Sequence, residues 1–446
     1  MKEFSPEQIR NICFIGHGGS GKTTISEYLL YAAGEINRLG SIEEGNTTSD
    51  FNPNETERQI SISAAPLHIE WKNSKVNFID TPGYSDFVGQ VIAGLHVADT
   101  AVEVVKSAEG VEVGTETTWN HAAKNEMPSA IIINKIDNEH SKFEETFEIV
   151  KDRLSNDATI ISYPVTEGPS FNTIIDVVKM KALSCTNPSD KKIVEMEIPA
   201  EEKEKADALH EELVEKIAES DEDLMNKFFE EGTLKEEDLK KGMRAAILNR
   251  SLIPVFAVSA KNGIGMQNFM DFTINFLPSP LDRGPADATK LNDNENVKVV
   301  CDPTGNPSLL VFKSLSEQHV GELSIFKVYS GALEAGMDML NTTREKTERL
   351  GQLFFLNGKN RKDVSKVTAG DIGAVVKLKD THTGNTLASK ENPIILKQIE
   401  FPESVIRGAI KPKSKGDEDK IASGLHTVHE EDPTFSTRFE PELGQT

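Results

Sequence analysis

The sequence predicts an α/β fold whose core is a mostly parallel sheet with helices on both faces. Short apolar runs with the length of buried strands recur along the first 260 residues, and helical patterns separate several of them. These runs are NICFI, VNFI, AVEVV, AIII and IPVFAV, at 11–15, 76–79, 101–105, 130–133 and 253–258. Strands that alternate with helices are joined by crossovers, so they lie parallel and are buried on both sides.

A change of pattern along the chain predicts further units. Residues 200–250 are rich in Glu and Lys and carry apolar residues at helical spacing, which predicts helices with one apolar stripe and a solvated acidic face. The segment 278–296 is rich in Pro, Asp and Asn, and we expect a linker there.

Short β-rich runs separated by Gly, Asn-Gly and Thr-Gly turns follow, which predicts an antiparallel β-barrel at 294–400. The last stretch, 401–446, predicts one strand (VIRGAI) and one helix (DEDKIASGLHTVHEE), which together form a partial α+β domain.

Composition excludes several classes of protein. The chain has 446 residues with 72 acidic and 49 basic side chains, and a formal net charge of −23 argues against coating nucleic acid, although a local basic patch can touch RNA. No apolar run approaches the roughly 18 residues of a membrane helix, and the N-terminus lacks a secretory pattern. Cys13, Cys185 and Cys301 form no CxxC pair. We expect a cytoplasmic protein with no membrane or DNA partner.

The segment GHGGSGKT, Gly16 to Thr23, matches the pattern G-x-x-x-x-G-K-[ST] between the first strand and the first helix. Its glycines let backbone N–H groups turn around phosphate oxygens, and the positive end of the helix faces the same anion. Lys22 would lie against the β- and γ-phosphates, and the Thr23 hydroxyl would ligate magnesium. The candidate phosphate-binding residues are His17, Gly18, Gly19, Ser20, Gly21, Lys22, Thr23 and Thr24. The alternative is a plain Gly-rich turn.

A second motif, DTPG, follows the strand VNFI. An acid at the end of a buried strand, here Asp80, can hold magnesium through water. Gly83 can bring its N–H close to a γ-phosphate because no side chain blocks the approach. Alone, DTPG is also consistent with an ordinary turn, but its place after a strand of the same sheet favours the functional interpretation.

Two further loops predict selectivity for guanine. NKID follows the strand AIII, and SAK follows IPVFAV. The carboxylate of Asp137 can accept two hydrogen bonds from guanine N1–H and N2–H₂, a donor pair that adenine lacks. The Asn and Lys of NKID would support the loop and the base, and SAK would add a backbone N–H to guanine O6. The candidate residues are Asn134, Lys135, Asp137, Ser259, Ala260 and Lys261. All lie at strand carboxyl ends, where open α/β sheets bind ligands.

These four elements in this order resemble the translational GTPases, and within them elongation factor G and its close paralogues. ETERQISISAA (55–65) resembles the switch I region of that family and DTPGYSDF (80–87) its switch II region. The long stretch between NKID and SAK resembles the subdomain that this family inserts in its GTPase domain, which implies an α+β insertion at about 158–252 of a GTPase domain at 1–290. The segments at 327–336 and 369–387 resemble the second, barrel domain, and 401–446 resembles the opening of the third. The family continues beyond that point, so the resemblance implies a C-terminally truncated member.

The resemblance implies an activity and its partners. In that family GTP is bound with Mg²⁺, and contact with the ribosome triggers hydrolysis that drives translocation or ribosome recycling. It implies GTP/GDP and Mg²⁺ as cofactors, ribosomal RNA and stalk proteins as partners, and a monomer off the ribosome. Thr23 and Ser61 would ligate the metal directly and Asp80 through water, while Lys22 and Gly83 would stabilise charge on the γ-phosphate.

The sequence departs from the family pattern at three positions. Switch I usually carries Thr where Ser61 stands, and the P-loop often carries Asp at Gly19. The catalytic His of switch II is replaced by Tyr84, which stays neutral near pH 7 and can only hydrogen-bond the attacking water. We therefore predict slow or differently triggered hydrolysis. His17 can be interpreted as a catalytic base or as a loop residue packed beside the phosphates, and we favour the latter.

Three alternative functions stay open. Tyr84 and Gly19 are consistent with a regulatory switch that binds GTP and hardly hydrolyses it. A ribosome protection protein of the tetracycline-resistance type shares these domains. An unrelated P-loop metabolic enzyme is the third alternative, and the combination of NKID with SAK argues against it.

Overall fold

The computed structural model describes residues 2–185, 193–317 and 321–438, apart from 405, 411, 413 and 415. Its helices are α1 (Lys22–Ala33), α2 (Pro53–Arg58), α3 (Val88–Val97), α4 (Val113–Lys124), α5 (Phe143–Arg153), α6 (Lys203–Ala218), α7 (Glu222–Glu231), α8 (Glu236–Leu248), α9 (Met266–Phe276) and α10 (Glu418–Glu431).

The strands of the first half are β1 (Ile9–Ile15), β2 (Ala65–Trp71), β3 (Ser74–Asp80), β4 (Thr100–Lys106), β5 (Ser129–Asn134), β6 (Ala158–Ile160), β7 (Ser162–Pro164), β8 (Thr173–Asp176), β9 (Lys181–Cys185), β10 (Ile193–Met196) and β11 (Ile253–Ala257). Those of the second half are β12 (Ala286–Lys290), β13 (Asn296–Val299), β14 (Ser308–Glu317), β15 (Gly321–Ser330), β16 (Ala332–Glu334), β17 (Asp338–Asn341), β18 (Lys346–Arg349), β19 (Leu353–Asn357), β20 (Asn360–Val364), β21 (Lys366–Thr368), β22 (Ile372–Val376), β23 (Thr386–Ala388) and β24 (Ile394–Leu396).

The first unit is built on a seven-stranded sheet in the order β2-β3-β1-β4-β5-β11-β6. All neighbouring pairs are parallel except β2 with β3. Alternate residues of β1 point to opposite faces: Ile12 and Phe14 join one hydrophobic cluster with α1 and α9, while Cys13 and Ile15 join another with α3. Both faces of the sheet are therefore covered, and the predicted fold class is confirmed.

An α+β insertion lies between β6 and β11 of this unit. It contains a four-stranded antiparallel sheet, β10-β9-β8-β7, followed by α6, α7 and α8. The helices predicted over 200–250 are present, and each buries one apolar stripe, for example Leu213 and Ile217 of α6 and Met243 of α8, against the core.

The second unit is antiparallel. Its main sheet has the order β18-β17-β23-β14-β15-β22-β19-β20, and β13-β12-β24 forms a smaller sheet. The expectation that 278–296 is only a linker is wrong, because β12 lies within it and pairs with β24 from the far end of this unit. This pairing with a strand about 100 residues away overrides the local preference of Pro and Asp for a loop. Local composition alone cannot show such a pairing.

The C-terminal segment, 401–438, carries α10 as predicted. The strand predicted at VIRGAI is wrong for the described residues 406–410, which are irregular and have no ladder partner in the described chain. A strand needs such a partner to satisfy its backbone. The remaining residues of the predicted third domain, 439–446, lie outside the described chain. None of the helices in the described residues is long and apolar enough to cross a membrane.

A buried ion pair joins the two sheet units. Lys75 of β3 donates to both carboxylate oxygens of Asp371, each at 2.8 Å, and its side chain is 1% exposed. Asn77 Nδ2 donates to Asp371 Oδ1 at 2.9 Å. Burial lowers the pKa of Lys75, and the charge of Asp371 opposes that effect. Loss of either partner would leave an unpaired charge in the interior. The pair therefore fixes the position of β3 against the second unit.

A second buried polar contact between the two units involves Asn11 of β1. Asn11 Nδ2 donates to Asp99 Oδ2 at 2.7 Å and to the Gly370 carbonyl at 2.8 Å, and Lys327 Nζ donates to Asp99 Oδ1 at 2.7 Å. Asn11 Oδ1 also accepts from Asn77, so the two contacts form one continuous buried network. Removal of one of these side chains would leave the others without a hydrogen-bond partner. The network therefore favours a single alignment of the two units.

We predict that Asp371→Ala lowers the free energy of unfolding by about 3–5 kcal/mol, because it leaves the Lys75 ammonium buried and unpaired. Urea denaturation followed by circular dichroism measures this loss. Asp287→Ala is the matched control, since its pair with Lys298 is 65% and 62% exposed, and its cost should be within about 1 kcal/mol. Equal losses for the two variants would contradict a structural role for the buried pair.

Candidate functional site

The four sequence motifs meet at one edge of the parallel sheet. The P-loop follows β1, DTPG begins on the last residue of β3, NKID begins on the last residue of β5, and SAK follows β11 closely. These strands belong to one sheet and run parallel, so their carboxyl ends lie side by side. The order of the strands in the sheet therefore brings the four loops together.

The P-loop takes a shape that only glycine permits at two positions. Gly16 has φ 137°, and a Cβ there would lie 2.5 Å from the Val104 carbonyl oxygen. Gly21 has φ 101°, and a Cβ there would lie 2.3 Å from Asn134 Nδ2. Gly21 caps α1, whose first N–H groups have no partner within the helix. This turn and helix start can hold an anion.

The remaining predicted residues of this loop lie around the same turn. Ser20 is buried, Gly18 and Thr24 are half-buried, and Gly19 is exposed. The Ser20 hydroxyl has no hydrogen-bond partner among the described residues. Gly19 has φ 74°, and a Cβ there would have no described atom within 4 Å, so the carboxylate that the family often carries there would project outward from the loop.

Lys22 points back into the loop. Its Nζ donates to the carbonyl oxygens of Gly16 at 2.7 Å and His17 at 3.0 Å, and the residue is only 5% exposed. Burial lowers the pKa of Lys22 to about 8, while the carboxylates of Asp80 and Glu103 oppose the shift. A phosphate group would give this ammonium charged oxygen acceptors in place of neutral carbonyls, which is a stronger interaction.

Beside Lys22 lies a pocket of oxygen atoms. Thr23 Oγ1 and Ser61 Oγ are 3.1 Å apart, and Ser61 Oγ donates to Asp50 Oδ2 at 3.2 Å. Ser49 Oγ donates to Asp80 Oδ2 at 2.8 Å, and Asp80 Oδ1 is buried with no hydrogen-bond partner in the described chain. Burial raises the pKa of both Asp50 and Asp80.

These residues fit a hard divalent cation. Two carboxylates and three hydroxyls supply oxygen donors only, the set that Mg²⁺ prefers. A cation would also satisfy Asp80 Oδ1 and favour the ionised form of both acids. Asp50 belongs to no motif and was not predicted, since only the fold brings it to Ser61. The predicted metal residues Thr23, Ser61 and Asp80 lie together.

The end of the DTPG motif and the following Tyr84 pack directly on the P-loop. A Cβ on Gly83 would lie 2.6 Å from the backbone nitrogen of Gly18, so only glycine permits this approach. The ring of Tyr84 covers Gly18, with its Cε2 atom 3.1 Å from the position of a Cβ on that glycine, and the residue is 45% exposed. The tyrosine therefore lies at the P-loop with one side open to solvent.

His17 faces the other way. Its Nε2 lies 3.4 Å from Glu112 Oε1, and its ring packs against Gly114 at the start of α4. Glu112 is also 2.9 Å from Lys106 Nζ. The imidazole is thus engaged with α4, which favours the interpretation of His17 as a packed loop residue over a catalytic base.

One amide joins the base-binding loops to the P-loop. Asn134 is 2% exposed, and its Nδ2 donates to the Ser20 carbonyl at 2.9 Å. Its Oδ1 accepts from the Ala260 backbone N–H at 3.1 Å. Ser259 is buried and exchanges two backbone hydrogen bonds with Ile264, at 3.0 and 3.1 Å, which closes the SAK loop.

The other three base-pocket candidates lie at the surface of these loops. Asp137 is half-buried, and Lys135 and Lys261 are exposed. Lys135 has φ 65°, a left-handed conformation, and Ser107 Oγ donates to its carbonyl at 3.1 Å. The NKID loop thus turns sharply after Asn134, and the side chains of Asp137, Lys135 and Lys261 are partly or fully accessible to solvent.

A buried carboxyl beneath the P-loop was also not predicted. Glu103 on β4 is 0% exposed, accepts from Thr118 Oγ1 at 3.0 Å, and lies 3.0 Å from the position of a Cβ on Gly16. Burial raises its pKa well above the ordinary value, although Thr118 and the charge of Lys22 oppose this. The only signal in the sequence is one acid within the apolar run AVEVV.

Three family models match consecutive parts of the chain. Residues 7–279 match the elongation factor Tu GTP binding domain, 306–390 match elongation factor G domain 2, and 401–446 match elongation factor G domain III. A crystal structure of a protein from Thermus thermophilus is similar, with a TM-score of 0.87 and 29% sequence identity. The match covers 98% of this chain and 63% of that chain, so this chain spans under two thirds of its length.

We predict that Glu103→Gln raises the melting temperature relative to wild type by an amount that grows with pH. The pKa of Glu103 is raised in the folded state, so its stability contribution is full below about pH 4.5 and is lost as pH rises towards the folded pKa. Over that interval the loss reaches about 1.4 kcal/mol per pH unit. Glutamine cannot ionise, so the variant does not undergo this loss of stability.

Thermal unfolding of both proteins between about pH 5 and 9, the interval above the ordinary glutamate pKa, measures the difference. The control is Glu148→Gln, which makes the same substitution at an exposed glutamate of α5. A pH-independent difference for Glu103→Gln would show that this carboxyl does not titrate in the interior.

Proposed function

This chain belongs to the translational GTPases of the elongation factor G type, and from this premise we propose that it binds and hydrolyses GTP on the ribosome. The proposed step is translocation or ribosome recycling in protein synthesis. The observation that carries the proposal is the convergence of four loops at one sheet edge, tied together by Asn134 and bordered by the oxygen pocket.

Selectivity for guanine nucleotides would come from the NKID and SAK loops. The Asp137 carboxylate can accept from two adjacent guanine donors, and the SAK loop can offer a backbone N–H to guanine O6. Asn134 holds both loops against the P-loop, so base and phosphate sites share one rigid support. Adenine has a hydrogen-bond acceptor at N1, where guanine has a donor. This acceptor would face the Asp137 carboxylate, and the two would repel each other.

For the reaction, Lys22 would move its ammonium hydrogen bonds from the loop carbonyls to phosphate oxygens. The Gly83 N–H would lie beside it, and both would stabilise charge on the γ-phosphate as it develops. Thr23, Ser61 and Asp80, with Asp50 behind Ser61, would hold Mg²⁺, which when bound neutralises phosphate charge. Tyr84 would orient the attacking water through a hydrogen bond from its hydroxyl.

Release of the γ-phosphate would loosen the switch I segment, since Ser61 is held there through the oxygen pocket. We propose ribosomal RNA and stalk proteins as partners, a monomer off the ribosome, and the cytoplasm as the site of action. The acidic insertion supports a stalk contact, because α7 exposes Phe229 at 77% among acidic side chains. A solvated face explains the charge equally well.

A second candidate is a GTP-binding switch with little hydrolysis. The position of Tyr84 favours it, because a phenol beside Gly18 cannot supply the positive charge that a protonated histidine carries. A ribosome protection protein would share the same site, and only the ribosomal step distinguishes it from a translocase.

The test is the rate of GTP hydrolysis with and without purified ribosomes, with Lys22→Ala as the blank. We expect ribosomes to stimulate the wild-type rate by at least about 10-fold, or 1.4 kcal/mol of barrier, and to leave the blank unchanged. No stimulation while GDP binding stays intact would overturn the hydrolytic function and favour the switch.

We predict that Tyr84→His raises the ribosome-stimulated rate by on the order of 100-fold, the lower end of what a positioned acid–base group contributes. Tyr84→Phe keeps the ring on Gly18 and removes the hydroxyl, so its rate should fall below wild type. Single-turnover hydrolysis of radiolabelled GTP measures all three proteins. Equal rates for wild type and Tyr84→His would count against a catalytic role at this position.

A further inference from the structure

Outside the residues of the nucleotide site, three side chains converge where α10 meets the antiparallel unit. Glu322 of β15, His382 of the loop before β23 and Glu430 of α10 each offer a ligand atom, and all these atoms lie within 4.8 Å of one another. His382 Nδ1 contacts Glu430 Oε2 directly. We call these residues the α10 cluster. It joins three segments that are distant from one another along the chain.

The α10 cluster contains an oxygen atom that lacks a donor. Glu322 Oε1 is buried, and among the described residues no donor reaches it with hydrogen-bond geometry. Burial also raises the pKa of Glu322. A buried carboxylate oxygen without a partner is costly. A cation held between Glu322 and its neighbours would remove that cost.

The histidine is fixed in advance by its loop. The backbone N–H of His382 donates to Asn385 Oδ1 at 3.1 Å, and Asn385 N donates back to the His382 carbonyl. Glu348, 4% exposed, accepts from the backbone N–H groups of Lys379 and Asp380 at 3.0 and 2.6 Å. The imidazole is thus presented from a rigid turn, which reduces the entropic cost of binding a ligand.

A second histidine lies beside the α10 cluster. His426 precedes Glu430 by one helical turn, so both side chains lie on one face of α10, and its Nδ1 is 4.0 Å from Glu430 Oε1. The His426 side chain is 71% exposed and can rotate towards the cluster. Two imidazoles and two carboxylates form a donor set that suits Zn²⁺ better than Mg²⁺ or Ca²⁺.

We propose that Glu322, His382 and Glu430 bind one divalent transition-metal ion, Zn²⁺ by their chemistry, with His426 as the fourth ligand. The ion clips α10 to the antiparallel unit. Among the described residues, α10 is also held by hydrogen bonds from Ser316 N to Glu431 Oε1 at 2.9 Å and from Gln90 Nε2 to the Glu431 carbonyl at 3.2 Å. A metal bond would add a third link between α10 and the rest of the protein.

The test uses the full chain without a histidine tag, stripped with chelator and kept in GDP and excess Mg²⁺ so that the nucleotide site is occupied. Titration with ZnCl₂ by calorimetry gives affinity and stoichiometry, and CoCl₂ gives a visible spectrum that reports tetrahedral coordination. We expect one equivalent to bind, and His382→Ala to weaken binding by at least about 100-fold, since even outer-shell changes cost 10- to 100-fold.

His429→Ala is the matched control, because His429 lies on the same helix and contacts the Phe435 carbonyl instead of the cluster. Unchanged GDP affinity in each variant shows that it folds. Hydrogen exchange in α10 should slow with ZnCl₂ in wild type and His429→Ala, but not in His382→Ala. No stoichiometric binding, or binding that His382→Ala leaves intact, would overturn the proposal and leave a plain His382–Glu430 ion pair.

Discussion

The site depends on one buried amide. Asn134 donates to the Ser20 carbonyl and accepts from the Ala260 N–H, so a single planar group sets the distance between the P-loop and the SAK loop. The contact is possible because Gly21 has no side chain, since a Cβ there would collide with Asn134 Nδ2. Sheet topology brings the loops to one edge, and this amide fixes their register.

A second constraint couples the site to the antiparallel unit. Lys313 of β14 is buried and donates from Nζ to Ser63 Oγ and Gln90 Oε1, both at 2.5 Å. Ser63 lies in the proposed switch I segment, and Gln90 lies in α3, which directly follows the proposed switch II segment, so the same ammonium contacts both elements. Burial lowers the pKa of Lys313 to about 8. Under the proposed function, loss of order in either switch would reach the second unit through this lysine.

The sheet, the helix after the P-loop and the four motif loops could be predicted from the sequence, because each has a local pattern tied to strand ends. Asp50 and Glu103 could not, since an acid without a motif or within an apolar run acquires its role only through distant neighbours. β12 and the irregular 406–410 were predicted wrongly for a related reason. Whether a segment forms a strand depends on a pairing partner, which β12 has in β24 and which 406–410 lack among the described residues. Local composition does not show whether such a partner exists.

The most direct test of the account is a comparison of GTP and ATP affinity, measured by calorimetry on nucleotide-free protein in excess Mg²⁺. If the NKID and SAK loops form a guanine pocket on the Asn134 support, GTP should bind at least about 100-fold more tightly than ATP, or about 2.7 kcal/mol. The same comparison with Asp137→Ala should lose most of that preference. Equal affinities of the wild type for GTP and ATP would contradict the account.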